Sequence, residues 1–210
     1  MELAQAAAQL ETIRTLMERA ALYRRALAPM TLAVGALGLA AGAVALGLHL
    51  NTLRSFACLW GGTAVAALIA AFLVARRQSL QAAEPFWTPP TRRIFHALVP
   101  ALALGGALIG AGLARDPGPN TATLLATAWV GIYGLGLNAA GFFMPRGIRW
   151  FGIGFALVAA GLILTANILP RLNDRVAEAH WLMTVTFGLG HLAYGLYLRA
   201  TERSDPPARP

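Results

Sequence analysis

Long apolar stretches alternate with short polar segments along this chain, and six of the stretches are long enough to cross a membrane. A bilayer core of about 30 Å requires roughly 20 apolar residues in a helix. None of the six contains Asp, Glu or Lys. The pattern therefore predicts an all-α fold, a polytopic transmembrane bundle of six helices within residues 27–199. The predicted spans are 27–48, 53–75, 94–114, 121–143, 148–169 and 180–198.

The segment before the first span has the pattern of an amphipathic helix. Its apolar residues recur at steps of three and four, which places them on one stripe. They are Leu3, Ala6, Leu10, Ile13, Met17 and Ala20. We expect residues 1–26 to form a cytoplasmic amphipathic helix, on the membrane surface or against the protein's own loops, with pairing to a partner helix as the alternative. Residues 200–210 contain three prolines and are expected to form a disordered cytoplasmic tail.

All 17 basic residues are arginine, and their distribution predicts the orientation. An even number of spans places both ends of the chain on the same side. That side, with the loops 76–93 and 144–149, carries 13 arginines against four on the other side. Arginine-rich segments stay in the cytoplasm. Both termini are therefore predicted to be cytoplasmic, in a bacterial cytoplasmic (inner) membrane.

The net charge of +8 would suit nucleic acid in a soluble protein. In a membrane protein it is better explained by orientation and by contact with anionic lipid, so we expect the lipid bilayer as a partner and no nucleic acid. The absence of lysine excludes a Schiff base to retinal or pyridoxal phosphate. The single cysteine, Cys58, has no second cysteine for an internal disulfide and is expected to pack.

Residues 76–93 form the longest polar loop between two spans. Phe86 and Trp87 lie between two arginine pairs, the second being Arg92 and Arg93. Aromatic rings and arginines are the usual anchors at a membrane–water interface. The loop is therefore interpreted as an interface anchor, with docking of a cytoplasmic protein partner as the alternative.

Glycine is abundant in the spans, and Gly106 and Gly110 form a GxxxG pair. Small residues let helices approach closely in lipid, where no hydrophobic force drives them together. We expect these glycines to pack helices within one bundle. The motif also leaves a homo-oligomer open.

His191 is the main candidate for function, because an ionisable side chain at mid-membrane is costly unless it is used or paired. Tyr194 and Thr184 are expected on the same helix face. Asn138, Trp129 and Tyr133 are the other candidates near it. One interpretation makes His191 a ligand or proton acceptor in a polar pocket. The other makes it a neutral histidine that ties helices together through Tyr194, Asn138 or a carbonyl.

Several chemistries have no support in the sequence. A b-type haem between two histidines needs a partner at the same depth, and His180 lies 11 residues away, or roughly 16 Å along a helix. All nine acidic residues fall outside the apolar centres, which argues against a carboxylate proton relay. No Walker, HExxH, GxSxG or CxxC pattern occurs. No catalytic residue, metal site or cofactor is predicted, and the chain is not expected to be an enzyme.

Three stretches carry a resemblance to a family. They are the segment 11–20 (ETIRTLMERA), the loop start Ala75-Arg76-Arg77, and the segment 187–195 (FGLGHLAYG). With the order of six spans, the chain resembles a family of uncharacterised bacterial six-span integral membrane proteins. The resemblance implies no activity. Its association with small transcriptional regulators implies a regulated accessory role.

Two functions remain as expectations. The first is a non-catalytic accessory or sensory membrane protein whose cytoplasmic face, the 2–26 helix and the 76–93 loop, binds a partner. The second is a small transporter or ligand-binding membrane protein with a polar site between spans four and six.

Overall fold

The computed structural model describes residues 26–81, 83, 85–114, 121–166 and 176–202. Of these residues, 90% are helical and none lies in a strand, which confirms the predicted all-helical fold. The amphipathic helix predicted for residues 1–26 lies, except for its last residue, outside the described residues. The tail beyond residue 202 lies outside them too.

Five of the described helices are long and apolar enough to cross a membrane. They are α1 (Ala26–Gly47), α2 (Leu53–Gln81), α3 (Pro89–Leu113), α4 (Thr121–Ala140) and α5 (Arg146–Ala166). The stretch predicted as the sixth span falls on α6 (Val176–Met183), a π-helical segment (Thr184–Gly190) and α7 (His191–Glu202). These three follow one another without interruption, and together they are called the 176–202 helix.

Large apolar side chains are exposed along α2, α3 and α5. Leu68 and Leu73 on α2, Leu104 on α3, and Leu157 and Ile163 on α5 are examples. Water-soluble proteins rarely expose contiguous apolar surface on this scale, whereas lipid chains solvate it readily. The exposed faces and the five long apolar helices together support a membrane protein.

The α2–α3 hairpin extends beyond its apolar pattern, because its polar ends are also helical. α2 continues to Gln81, past its predicted end at residue 75, and α3 begins at Pro89 rather than at residue 94. Pro89 and Pro90 occupy the first turn of α3. Main-chain N–H groups in a first turn have no acceptor within the helix, so proline, which has no N–H, costs no hydrogen bond there. Thr88 caps this turn by accepting from the Thr91 main-chain nitrogen. The prolines therefore start a helix instead of lengthening the loop.

α4 is the central helix of the described bundle. It packs against α3, α5 and α6, and its Val130 and Ala126 are fully buried. One apolar cluster surrounds Phe56 and Trp129, and a second surrounds Leu137, near the end of α4. None of the residues of α3 is buried, so this helix lies at the periphery.

Glycine permits main-chain contact between α4 and α5. A Cβ atom placed on Gly134 would lie 2.7 Å from the Gly152 carbonyl oxygen, and one on Gly152 would lie 2.6 Å from the Asn138 main-chain nitrogen. These separations are too short for a real side chain. Because apolar burial does not drive helices together in lipid, this close packing is a main source of α4–α5 stability.

A second close contact joins α1 to the 176–202 helix. A Cβ on Gly38 would lie 2.8 Å from the Gly188 main-chain nitrogen, and one on Gly35 would lie 2.7 Å from that of Leu192. By contrast, a Cβ on Gly106 or Gly110 would meet nothing within 4 Å. The GxxxG pair singled out in the sequence therefore makes no helix contact within the described part of the chain.

Replacing Gly152 with alanine should destabilise the bundle by about 1–3 kcal/mol, the usual effect of overpacking a close contact. The matched control is Gly154→Ala on the same helix, where an added Cβ meets nothing within 4 Å. Unfolding in mixed micelles titrated with SDS measures both. Equal stability of the two variants would contradict the α4–α5 contact described here.

Candidate functional site

His191 is buried at the start of α7 and bonded to α4. The side chain is 2% exposed, and its Nε2 lies 2.8 Å from the Tyr133 hydroxyl. Of the residues singled out in the sequence, the structure thus pairs His191 with Tyr133. This bond joins the central helix to the 176–202 helix at a depth where few polar groups compete for it.

Aromatic rings enclose the His191 ring. The centroids of Phe151, Phe155 and Phe187 lie 5.1, 5.5 and 5.8 Å from it, and that of Tyr133 lies 5.5 Å away. Phe187 is stacked on the imidazole, whereas Phe151 and Phe155 meet it edge-on. An apolar cage of this kind favours a neutral imidazole.

The second nitrogen of His191 has no such partner. Nδ1 is buried, and no described group meets the geometry of a hydrogen bond to it. The Tyr133 hydroxyl donates to Nε2 in the Nδ1–H tautomer and accepts from it in the Nε2–H tautomer. His191 directly follows the π-helical turns, and π turns are frequent at functional sites.

The other predicted site residues are spread over three contacts. Tyr194 stacks on Phe151 with centroids 4.5 Å apart, and its hydroxyl is buried without a described partner. Trp129 donates its indole N–H to the Gly105 carbonyl at 3.0 Å, which ties α4 to α3. Asn138 lies at the α4–α5 contact through its main-chain nitrogen. The structure therefore groups Tyr194 with His191 but not Trp129 or Asn138.

Thr184 does not share the His191 face, so this expectation is wrong. A Cβ on Gly42 of α1 would overlap the Thr184 side chain, and Gly188 also packs against α1. His191 instead faces α4. The expectation assumed 3.6 residues per turn throughout, and the wider turns of the π segment between the two residues change their relative angle.

A second buried histidine lies in α6. His180 is 1% exposed. Its Nδ1 accepts from the Trp60 indole N–H at 2.9 Å, and its Nε2 lies 3.0 Å from the Leu50 carbonyl. Both bonds are satisfied only by the neutral Nε2–H tautomer, because the indole only donates and the carbonyl only accepts.

An apolar groove lies between α2 and α3, and two of its lining residues, Tyr133 and Phe187, also contact His191. Its volume is about 230 Å³. α2 and α3 form its walls, and Trp129, Ile132, Tyr133 and Phe187 form its floor. The groove exists because α2 and α3 are in contact over only a small part of their length. Gly105 and Gly106 on the α3 wall carry no side chain to fill the space.

The predicted interface anchors lie at the loop end of the α2–α3 hairpin. Phe86 meets Phe72 of α2 with centroids 5.2 Å apart, and Trp87 meets Phe95 of α3 at 5.6 Å. Arg92 and Arg93 are exposed beside them. The loop is thus held against both helices, as an anchor requires. Its contact with headgroups stays a prediction.

The sequence reasoning missed Trp60, Gly105 and Phe187. A tryptophan inside an apolar span gives no sign of its partner, because its histidine lies 120 residues away. Phe187 lies in the quoted segment 187–195, and its i, i+4 spacing to His191 was the available signal.

The polar groups at this centre join helices to one another. Tyr133 and His191 join α4 to α7, Trp60 and His180 join α2 to α6, and Trp129 joins α4 to α3. Within the described residues, no three His, Cys, Asp or Glu side chains are placed to hold a metal ion. These polar groups are used in contacts between helices, so a ligand would meet a fixed apolar surface.

No protein-family model, curated protein or solved structure matches this chain. The case for a function rests on the contacts within the chain.

Replacing Trp60 with phenylalanine should destabilise the protein by about 1–3 kcal/mol, because it leaves the buried His180 Nδ1 without a donor. The control is Trp150→Phe, since Trp150 is 72% exposed. Thermal unfolding in detergent, followed by tryptophan fluorescence and size-exclusion chromatography, compares them. A Trp60→Phe variant as stable as the control would show that this bond contributes nothing.

Proposed function

We propose that the protein is a non-catalytic, multi-pass protein of the bacterial cytoplasmic membrane that binds an apolar, membrane-soluble ligand in the α2–α3 groove. The observation that carries the proposal is the groove itself. It lies between two helices of membrane-spanning length, so a ligand enters it sideways from the lipid. Trp129 and Tyr133, on its floor, are fixed by hydrogen bonds.

The size of the groove limits the ligand. Pockets for drug-sized molecules are usually about 300–1,000 Å³, and the groove has about 230 Å³. An apolar cavity of roughly 150 Å³ holds a benzene ring. A slender apolar group such as an alkyl chain therefore fits, and a nucleotide or a folded peptide does not.

The ligand thus lies in the groove lined by Tyr133 and not in the polar site expected around His191. His191 is enclosed by rings and 2% exposed, so a ligand has no room beside it. Tyr133 and Phe187 each contact both the groove and His191. A ligand in the groove thus contacts Phe187, which belongs to the π segment, and Tyr133, which is hydrogen-bonded to His191 directly after it. This link supports the accessory or sensory role expected from the sequence.

Bromine on lipid chains tests the groove, because it quenches nearby indoles and both Trp60 and Trp129 line the groove. The reporter variant is Trp87→Phe/Trp150→Phe/Trp181→Phe, which removes the exposed tryptophans. In nanodiscs of mid-chain dibrominated phosphatidylcholine, we expect quenching of the two buried indoles. Adding Gly106→Leu should reduce it, because leucine fills the groove without a clash.

The matched control is Gly110→Leu, one turn along α3. It also has open space around an added Cβ and does not line the groove. Quenching that is equally strong with Gly106→Leu and Gly110→Leu would overturn the ligand proposal.

We also propose that the chain crosses the membrane six times, with both ends in the cytoplasm. Arginine distribution supports this orientation, and the unbroken 176–202 helix supplies a sixth helix. Asn51, in the α1–α2 linker, then faces the periplasm, and Arg77 faces the cytoplasm. A cytoplasmic partner at the 76–93 loop remains part of the accessory role.

Cysteine labelling tests this orientation, because Cys58→Ala removes the single native thiol. In that background, a membrane-impermeant maleimide should label Asn51→Cys in spheroplasts and Arg77→Cys only in inverted vesicles. The reverse pattern would overturn the assigned orientation.

A further inference from the structure

Four exposed arginines stand at one end of the hairpin that forms the groove. Arg76 and Arg77 lie on the last turns of α2, and Arg92 and Arg93 on the first turns of α3. The loop between them is held to both helices by the ring contacts of Phe86 and Trp87. The two arginine pairs therefore belong to one surface, called here the arginine end.

Charge on this surface is strongly unbalanced. The described residues contribute no carboxylate to the loop or to the neighbouring turns of α2 and α3. Glu84, in the same loop, is a single acidic residue against four bases. Arginine pairs with phosphate through two parallel hydrogen bonds, so the arginine end has the chemistry of a phosphate site.

The groove lies on the same two helices, at a fixed distance from the arginine end. Its nearest residues are Leu68 on α2 and Ala101 on α3. Each is eight residues from the closest arginine on its helix, or about 12 Å at 1.5 Å per residue. The groove continues to Trp60 and Ile109, about 12 Å further.

This spacing matches one leaflet of a bilayer. Headgroups lie roughly 20 Å from the midplane of a membrane that is about 40–45 Å thick overall. A phosphate at the arginine end thus puts the groove, about 12–24 Å deeper, beside the acyl chains of that leaflet and just past the midplane. A free apolar molecule would use the groove without needing the arginines.

We propose that the ligand of the groove is an anionic phospholipid of the cytoplasmic leaflet. Its phosphate sits on Arg76, Arg77, Arg92 and Arg93, and one acyl chain runs along α2 and α3 into the groove. This inference rests on the proposed function, because it assigns the occupant of the same groove.

Native mass spectrometry of the purified protein with equimolar phosphatidylglycerol and phosphatidylcholine of identical chains tests the inference. We expect preferential retention of phosphatidylglycerol. The variant Arg92→Gln/Arg93→Gln should lower that preference by roughly 30-fold, the equivalent of about 1 kcal/mol for each of the two basic side chains at an anionic surface. Both side chains are exposed, so glutamine leaves helix packing unchanged.

The matched control is Arg146→Gln/Arg199→Gln. It removes the same charge from exposed positions on the same predicted side, but on α5 and α7. Its preference for phosphatidylglycerol should stay at the wild-type value. Equal losses in the two double variants would show a diffuse charge effect and overturn the phospholipid assignment.

Gly106→Leu separates this inference from the proposed function. We expect it to reduce retention of both lipids, whereas the arginine variant changes only their ratio. If Gly106→Leu has this effect and the arginine variant has none, the phospholipid assignment fails and the apolar groove stands. If neither variant differs from wild type, both proposals fail.

Discussion

The contact between α1 and the 176–202 helix fixes the positions of His191 and Phe187, on which the centre of the bundle depends. Gly35 and Gly38 bring the main chain of α1 onto Gly188 and Leu192. Because this contact spans the junction of the π segment and α7, it sets the rotation of the helix there. That rotation aims His191 at Tyr133 and Phe187 at the groove floor. In lipid, where apolar burial favours no particular helix pair, such main-chain contact is what gives the pairing its specificity.

Hydrogen bonds between side chains then secure the packed helices. Trp60 with His180 and Tyr133 with His191 use neutral donors and acceptors throughout. Neutral pairs avoid the large penalty of placing an ion in a low-dielectric interior. Each bond joins helices distant in sequence, so the pairs fix tertiary structure more than they stabilise any one helix. For this reason the side chains of Trp60 on α2 and Tyr133 on α4, which both line the groove, are held in place.

Much of the fold followed from composition, because the need to satisfy the main chain in lipid leaves few options. The all-helical class and five membrane-length helices were predictable in this way. The ends of α2 and α3 were not, since polar residues such as Arg76 and Gln81 continue a helix without any apolar signal. The role of Pro89 depended on its place relative to Thr88, which span prediction ignores.

The candidate site was less predictable. His191 was found because a histidine at that depth is unusual, and Tyr133 because it lies near mid-span on α4. The partnership of Trp60 and His180 depends on how four helices are arranged, which no local pattern encodes. The groove was missed because it is defined by missing side chains at Gly105 and Gly106. Glycine in a span normally indicates close contact between helices, whereas Gly106 leaves open space in the groove.

The π segment has a consequence for how this chain tolerates change over evolutionary time. A π turn arises when one residue is added to an α-helix without displacing its flanks. Deleting one residue between Thr184 and Gly190 would therefore restore a regular helix and leave α6 and α7 in their present relative orientation. His191 would keep its contact with Tyr133, and Leu192 would keep its contact with Gly35. A one-residue deletion in the regular turns of α7 would instead rotate the rest of that helix by about 100° and alter all the contacts that follow it.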